Sequence, residues 1–437
     1  MAFFYKRALP TISPFPKNKK ITIPAYIFYA MYKLINDPIY GFIHMPKGVI
    51  SELMDHKIYQ RLRRIMQLGV VQYVFPNATH SRFSHTLGAL HLMQNAVNIL
   101  RKKGTEITEE EEQAVLIAIL LHDLGHSPFS HSLEFQLLRV HHESISVALM
   151  EYINAENSAL QGALTLALKI FKNEYHKPFL HQLVSSQLDM DRLDYLTRDS
   201  YFTGVAEGKV GYQRLIETMQ VVNNELVVEY KGIYAIENFL ISRRLMYWQV
   251  YLHKAVVGAS AMLDKIIDRA RFLIFEKGEN FNNKLSDALF YFLRQYVTDI
   301  ELKHNTKEIL HHFINLDDND IWQALKVFAQ HEDFILSTLS QGFLDRKLFK
   351  VTSYEMPIEA AVLEKIQAQM VSQFNISPED AHYLAFDTKQ TNQAYNTRKQ
   401  SIKILTHEGK LRPISDWQEH NIQRKEVVKF YLCQYKL

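Results

Sequence analysis

Apolar positions with helical spacing run through most of this chain. They recur at i, i+3, i+4 and i+7 over long windows, and only 15 of the 437 residues are glycine, so the pattern predicts a mainly helical protein. One window begins with the acidic run EEEEQ, which places negative charge in a first helical turn where the helix dipole favours it. We therefore predict a helix from Glu109 to Leu121.

Other stretches of the sequence predict further helices, and some predict strands or loops instead. The stretch from Leu87 to Leu100 has helical spacing, and 239–275 predicts one or two long helices. In contrast, ELVVEYKGIYAI predicts a short β-hairpin that turns at Lys231-Gly232. Charged helices continue from about 280 to 375, and the polar, mixed segments that follow favour strands and loops.

Composition excludes several classes of protein. With 47% hydrophobic and 22% charged residues, the chain is typical of a globular protein of two or three domains. A net charge of +3 is no electrostatic reason to expect nucleic-acid binding. The single cysteine, Cys433, excludes an intrachain disulfide or a cysteine-based zinc site. A basic stretch at 17–20 precedes apolar residues, but Lys33 interrupts them before the ~20 residues of a membrane span, so we expect a cytoplasmic protein with no membrane segment.

The segment AVLIAILLHDLGHSPFSH, which ends at His131, places polar groups at the end of an apolar helix. Burying His122 beside Asp123 costs free energy unless a partner offsets the lost hydration. A divalent metal ion is a suitable partner because it accepts imidazole nitrogen and carboxylate oxygen together. This pair therefore predicts part of a metal site.

Further donors would have to come from other helices. His85 opens one predicted helix, and Asp191 shares a face of another with Asp194 and Arg198 at helical spacing. Each has an ordinary alternative, since a lone histidine at a helix start is often a cap or core residue and Asp191 can form a surface salt bridge with Arg192 or Arg198. Together with the HD pair, however, these donors make a workable metal cage with positions open to water.

Several motifs in order resemble one known family. RFSHTLG, LLHDLGHSPFSH, HHES and DMDRLDYLTRDSYFTG are similar to the HD-domain phosphohydrolases, and most similar to the branch of the SAM-and-HD-domain deoxynucleoside triphosphate triphosphohydrolase and its bacterial relatives. The resemblance implies a mainly α fold, in which an HD-domain helical core carries short β-hairpins and a smaller α+β C-terminal region. It divides the chain into an N-terminal extension (1–32), a catalytic domain (33–275) and a C-terminal region (276–437).

The resemblance also implies roles for particular residues. It implies a divalent metal ion, Mn, Fe, Ni, Zn or Mg, held by His85, His122, Asp123 and Asp191. The implied catalytic group comprises the general acid His131 together with His126, His142 and Glu134, where most relatives have aspartate. The implied substrate contacts are Arg82, Arg192, Tyr195, Asp199, Arg243 and Tyr251.

The implied reaction is hydrolysis of a deoxynucleoside triphosphate to nucleoside and inorganic triphosphate. Two alternatives stay open: another HD-type phosphomonoesterase or phosphodiesterase, and a catalytically silent regulatory HD protein. The resemblance further implies a nucleotide substrate and a homo-oligomer, either dimer or tetramer, while an activating nucleotide is left open. Tyr247 replaces a histidine found in the animal relative, so base and sugar preference are not assigned.

Overall fold

The structure is a computed structural model, and it describes residues 32–157, 160–392, 401–417 and 427–436. The predicted extension at 1–32 lies outside this part except for its last residue. Helices dominate, with short hairpins and a small mixed C-terminal region, so the predicted fold class is confirmed. Among the described residues, none of the helices has the length and apolar character needed to cross a bilayer.

The helices of the first 277 residues form the main body, and the predicted helix from Glu109 to Leu121 is among them. These helices are α1 (Val49–Asp55), α2 (Lys57–Gln60), α3 (Arg82–Lys102), α4 (Glu109–Leu121), α5 (Glu134–Leu137), α6 (His142–Glu156), α7 (Gln161–Phe171), α8 (Pro178–Val184), α9 (Met190–Thr203), α10 (Tyr212–Thr218), α11 (Ile233–Met246) and α12 (Lys254–Lys277).

The C-terminal region adds shorter helices and most of the strands. Its helices are α13 (Asp287–Leu293), α14 (Asp299–His304), α15 (Thr306–Ile314), α16 (Asp318–Phe328), α17 (Phe334–Leu344), α18 (Ala360–Phe374) and α19 (Pro378–Leu384). The strands of the chain are β1 (Tyr32–Asp37), β2 (Gly41–Pro46), β3 (Met219–Val222), β4 (Glu225–Glu229), β5 (Lys350–Tyr354), β6 (Ala385–Asn392), β7 (Lys403–Leu405), β8 (Leu411–Pro413) and β9 (Val427–Gln434).

Helix α4 is the central helix of the core. Its N-terminus carries a capping box, in which Thr108 accepts from the Glu111 backbone and Glu111 accepts from the Thr108 backbone. Every residue from Ala114 to Leu121 is buried, so this half of the helix has no solvent-exposed face. Helix α3 packs against both α4 and α9. The three helices therefore form a rigid group around the end of α4.

The predicted hairpin around Lys231-Gly232 is wrong. Its first strand exists as β4, but its second, IYAI, is the start of α11, and β4 pairs instead with β3. The antiparallel pair β3–β4 turns at Asn223-Asn224, both with left-handed backbone (φ 52° and 61°). Asparagine tolerates this conformation, which two-residue hairpin turns require. The predicted turn, Lys231-Gly232, lies in a short 3-10 turn that leads into α11.

The strands form three small sheets. β1 and β2 pair as a hairpin, β3, β4, β7 and β8 make a mixed sheet, and β9 lies between β5 and β6 in an antiparallel sheet. In the last sheet Val351 and Phe386 both lie opposite Cys433. β5 contacts α12, so this sheet packs against the longest helix of the main body.

The C-terminal region also holds the loop that follows α4. Asp318, the first residue of α16, accepts hydrogen bonds from the backbone N–H groups of Phe129 (2.8 Å) and Met66 (2.9 Å). Phe129 and Ser130 both adopt the left-handed conformation, with φ of 55° and 54°. Such residues cost on the order of 1–3 kcal/mol each and persist only where the surroundings enforce them. The Asp318 carboxyl is part of that enforcement.

A buried arginine secures the other side of the same loop. The Arg61 guanidinium donates to the carbonyl oxygens of Leu124 (3.3 Å), His126 (3.0 Å) and Leu316 (2.7 Å). Arg61 is 1% exposed. One side chain of the main body thus links the loop after α4 to the segment just before α16.

A methyl group at Gly88 should separate α3 from α9. A Cβ there would lie 1.9 Å from Asp194 Oδ1 and 2.2 Å from Arg198 Nη2, so Gly88→Ala should lower the free energy of unfolding by about 2–3 kcal/mol. Gly162→Ala is the matched control, because nothing lies within 4 Å of its Cβ position in α7. Urea unfolding should show the control unchanged or stabilised by up to about 1 kcal/mol. Equal effects of the two changes would contradict the close approach.

Asp318→Asn should loosen the loop after α4. The amide turns an N–H donor towards one of the two backbone N–H groups, and an unsatisfied buried donor costs about 1–3 kcal/mol. Hydrogen exchange of the Phe129 amide should therefore accelerate by at least tenfold. Asp299→Asn is the control, since Asp299 is likewise the first residue of a helix, α14, but is exposed. Unchanged exchange in Asp318→Asn would show that other contacts alone hold the loop.

Candidate metal centre and active site

Three helix ends bring the predicted donors together. His85 lies in the first turn of α3, which begins after the N-cap Ser81. His122 follows the last residue of α4 and keeps helical backbone angles. Asp191 lies in the first turn of α9, where the Asp189 carboxylate caps the helix by accepting from Arg192 N. Each donor is therefore fixed by a rigid element rather than by a loose loop.

The donor atoms converge on one point. His85 Nε2 lies 3.1 Å from Asp191 Oδ1, and His122 Nε2 lies 3.4 Å from the same oxygen. One ligand atom from each of the three residues falls within 4.8 Å of the others. Burial opposes a charge on His85, but the carboxylates of Asp191 and Asp194 outweigh it and raise the pKa of His85 to about 10. These carboxylates therefore favour positive charge at this point of the structure.

Both imidazoles are oriented to present a lone pair. His85 Nδ1 lies 2.7 Å from Asp194 Oδ2, and His122 Nδ1 lies 2.7 Å from the Ile119 carbonyl oxygen. Because neither acceptor can donate, each Nδ1 keeps its proton, and each Nε2 is the nitrogen that can give a lone pair to a metal ion. Both Nε2 atoms are buried and have no hydrogen-bond partner in the described residues. This donor set fits a divalent metal ion.

Asp194 is held in turn by a buried arginine. Arg198 donates to its two carboxylate oxygens at 2.9 and 3.0 Å, and to Asp37 Oδ2 at 2.8 Å. Burial alone would raise the pKa of Asp194, but Arg198 and His85 hold that pKa below its usual value. Asp194 therefore stays ionised and keeps the His85 ring in place.

Asp123 lies at the edge of the same centre and is shared with an arginine. Its Oδ1 is 3.3 Å from His122 Nε2, and its Oδ2 is 3.7 Å from His85 Nε2. Arg82 Nη1 donates to Oδ2 at 2.6 Å. Burial opposes ionisation of Asp123, yet Arg82 and the histidines hold its pKa well below the usual range. The structure thus places the fourth predicted ligand beside the other three.

The loop after α4 carries His126 and His131, and the third predicted catalytic histidine, His142, is the first residue of α6. The rings of His126 and His142 stack at 4.0 Å, and Glu134 Oε1 lies 2.5 Å from His142 Nδ1. Gly125 makes this packing possible, because a Cβ there would lie 2.0 Å from the His142 carbonyl oxygen. The backbone of His131 forms part of a 3-10 turn, but its side chain lies outside the described part of the structure.

A cavity of about 700 Å³ opens beside the metal centre, which is within the usual range for ligand sites. Five of the six predicted substrate residues line it: Arg82, Arg192, Tyr195, Asp199 and Tyr251. Arg243 is not on this wall. It is buried on α11 and donates to Gln187 Oε1 at 3.2 Å.

Two residues that the sequence pattern missed also belong to the site. His80 Nε2 lies 2.8 Å from Asp199 Oδ1, while the Tyr251 hydroxyl donates to Asp199 Oδ2 at 2.6 Å. Burial and Asp199 raise the pKa of Tyr251 well above its usual value, so the phenol stays a donor. Gln67 lines the cavity, and its buried Oε1 has no partner in the described residues. A lone histidine or glutamine in a loop carries no periodic pattern that would identify it.

Comparison with known families agrees with this geometry. The HD domain model matches residues 82–199, which span all four predicted ligands, and the HD associated region model matches residues 210–286.

Similar proteins cover most of the chain. The uncharacterised protein YwfO of Bacillus subtilis is 30% identical over 88% of this chain and 87% of its own length. A SAMHD1 homologue of Dictyostelium discoideum, named a deoxynucleoside triphosphate triphosphohydrolase, is 33% identical over 59% of this chain and 54% of its own length.

One solved structure matches nearly the whole chain. A phosphohydrolase from Bacteroides thetaiotaomicron is 46% identical, with a TM-score of 0.87, and the match covers 93% of this chain and all of that one. With these matches and the donor geometry, the chain belongs to the HD-domain phosphohydrolase superfamily, near the branch of the SAMHD1 proteins.

Proposed function

We propose that this protein is a metal-dependent deoxynucleoside triphosphate triphosphohydrolase, which releases nucleoside and inorganic triphosphate. The observation that carries the proposal is the pair of imidazole Nε2 atoms that the ring orientations aim at Asp191. They lie beside a cavity that also presents a buried arginine, Arg82, and the hydrogen-bonded pair of Asp199 and Tyr251. One cavity therefore offers ligands for a metal ion, a guanidinium for phosphate and a carboxylate for a sugar hydroxyl.

In the proposed site His85, His122, Asp123 and Asp191 hold the metal ion. A bound divalent metal lowers the pKa of a coordinated water and polarises a phosphoryl oxygen. Two imidazoles and two carboxylates suit Mn, Fe, Ni, Zn or Mg.

The cationic wall would position the triphosphate. Arg82 is buried and already oriented, since its Nε donates to Ser130 Oγ at 3.0 Å and its Nη1 donates to Asp123. Guanidinium forks match phosphate geometry, and Arg192 on the same wall adds a second fork. Burial and Arg82 lower the pKa of His126 well below its usual value, so His126 would act on a phosphate oxygen as a neutral hydrogen-bonding group.

A general acid is needed where the nucleoside leaves. His131 follows Ser130 on the loop held by Asp318 and Arg61. We assign it the proton that the departing 5′ oxygen receives, since a histidine titrates near neutral pH.

The other end of the cavity would bind the sugar. Each carboxylate oxygen of Asp199 accepts one hydrogen bond from the protein, from His80 or Tyr251. An ionised carboxylate has further lone pairs, so a sugar 3′-hydroxyl can still donate to Asp199. The protein partners would fix the direction in which that carboxylate faces.

Product analysis tests the proposed reaction. Purified protein, supplied with each candidate metal in turn, should convert a dNTP to nucleoside and triphosphate, detected by chromatography and phosphorus NMR. In ¹⁸O-labelled water the label should enter the triphosphate, because attack at the α-phosphorus leaves the 5′ oxygen with the nucleoside. Release of monophosphate or pyrophosphate, or no turnover of any dNTP with and without added GTP, would favour another HD-type phosphohydrolase.

Asp194→Asn should weaken the metal centre without removing a ligand. The amide loses the charge that stabilises the Nδ1 proton of His85 and turns one donor towards Arg198. Loss of such an outer contact lowers metal affinity by about 10–100-fold, measurable by calorimetry with Mn²⁺. Asp299→Asn, a carboxylate change on the exposed start of α14, should leave the affinity unchanged. Wild-type affinity in Asp194→Asn would contradict the role of this contact.

A further inference from the structure

The cavity continues beyond the sugar-binding pair along one face of α12. Val257, Ser260, Ala261 and Asp264 line it, and their i, i+3, i+4, i+7 spacing places them on one helical face. With a rise of 1.5 Å per residue, this wall is about 10 Å long. It begins a few residues after Tyr251, and the same cavity is lined by Asp199 and Tyr251, so this wall adds room beyond that needed for a sugar.

The facing wall comes from the C-terminal region. Thr388 and Gln390 line the cavity, and their i, i+2 spacing on β6 turns both side chains to the same face. Ser132, next to the predicted general acid, also lines the cavity and lies 3.0 Å from Ser260, hydroxyl to hydroxyl. We call this space, bounded by α12 and β6, the distal lobe.

Asp264 is the unusual group of the distal lobe. Its Oδ1 is buried and has no hydrogen-bond partner in the described residues. Burial and the neighbouring Asp268 raise the pKa of Asp264 to about 8. A buried carboxyl without a partner is destabilising, and native proteins rarely keep one without a reason. Since it lies on a cavity wall, a ligand can supply the missing donor.

The lobe has apolar surface that can contact the faces of a flat ring and polar groups that can contact its edge. Leu252, Val257 and Ala261 are apolar and line the cavity, while Asp264 and Gln390 are polar. Apolar surface suits the faces of an aromatic ring, and a few placed polar groups suit its edge.

We propose that the base of the bound nucleotide occupies the distal lobe and that Asp264 recognises it by accepting a hydrogen bond from an N–H group on the ring edge. This inference rests on the proposed nucleotide substrate. Adenine, guanine, cytosine and thymine all present such a donor, so Asp264 selects for a nucleobase as a class. The C-terminal region would then form part of the substrate site.

Nucleoside binding tests this role independently of turnover. Calorimetry on the metal-loaded protein is done above pH 8, where the Asp264 carboxyl is ionised and can only accept. It compares the four deoxynucleosides with purine 2′-deoxyriboside, whose ring carries no N–H group. The wild-type protein should bind the four natural deoxynucleosides about tenfold more tightly. Asp264→Leu should bind all five ligands with similar, weaker affinity. Its melting temperature should be equal to or above that of the wild type, because the change removes an unsatisfied buried carboxyl.

Asp299→Asn is the control, a carboxylate change on the exposed start of α14 that is absent from the cavity wall. It should keep the wild-type preference. If Asp264→Leu does not fold, Asp264→Asn serves in its place and should shift the preference among the four bases, since its amide both donates and accepts.

Two results would overturn the inference: no nucleoside binding by the wild type, or a wild-type preference for N–H-bearing bases in the Asp264 variants. A wild-type protein that shows the Asp264-dependent preference but makes no triphosphate supports the distal lobe and refutes only the proposed reaction.

Discussion

The buried ion pair of Asp194 and Arg198 is the interaction on which the site depends. Both side chains are fully buried, where an unpaired charge would be strongly destabilising. Each member of the pair has a further polar partner: Asp194 accepts a hydrogen bond from His85 Nδ1, and Arg198 donates one to Asp37. The pair thus fixes the Nδ1 proton of the proposed ligand His85 through Asp194, lies where α3 approaches α9, and contacts the first hairpin through Arg198.

This arrangement explains why part of the site is readable from sequence. Charged and imidazole groups in an apolar helix need compensation, so the end of α4 predicts a metal-binding pair at His122 and Asp123 without any geometry. Helical spacing also placed Asp194 and Arg198 on one face. Helical spacing did not show whether Asp191 or Asp194 would lie at the metal centre, because both residues share that face. In the structure Asp191, in the first turn of α9, is the one that lies beside the two Nε2 atoms.

Other features depend on contacts that sequence pattern does not record. His80 reaches Asp199 across 119 residues, and neither residue lies in a periodic run that predicts the contact. The hairpin predicted around Lys231-Gly232 is wrong because this glycine precedes a helix, whereas the β3–β4 turn is made by two asparagines in the left-handed conformation. The predicted division at 275/276 stays a prediction, yet the cavity wall, the Asp318 contacts and the Arg61 contacts all cross it. Periodicity describes single elements, and these contacts join elements that are far apart in the chain.

The bond between Phe129 and Asp318 spans 189 residues, and this separation has a consequence for synthesis. The proposed ligands His85, His122 and Asp191 all leave the ribosome well before residue 318. Domains generally form from the N-terminus as the chain emerges, whereas contacts between distant residues form late. A nascent chain can therefore assemble the helices that carry the proposed metal ligands before Asp318 is available to hold the strained loop. The proposed site can then bind its metal ion before the loop with His126 and His131 reaches its final conformation.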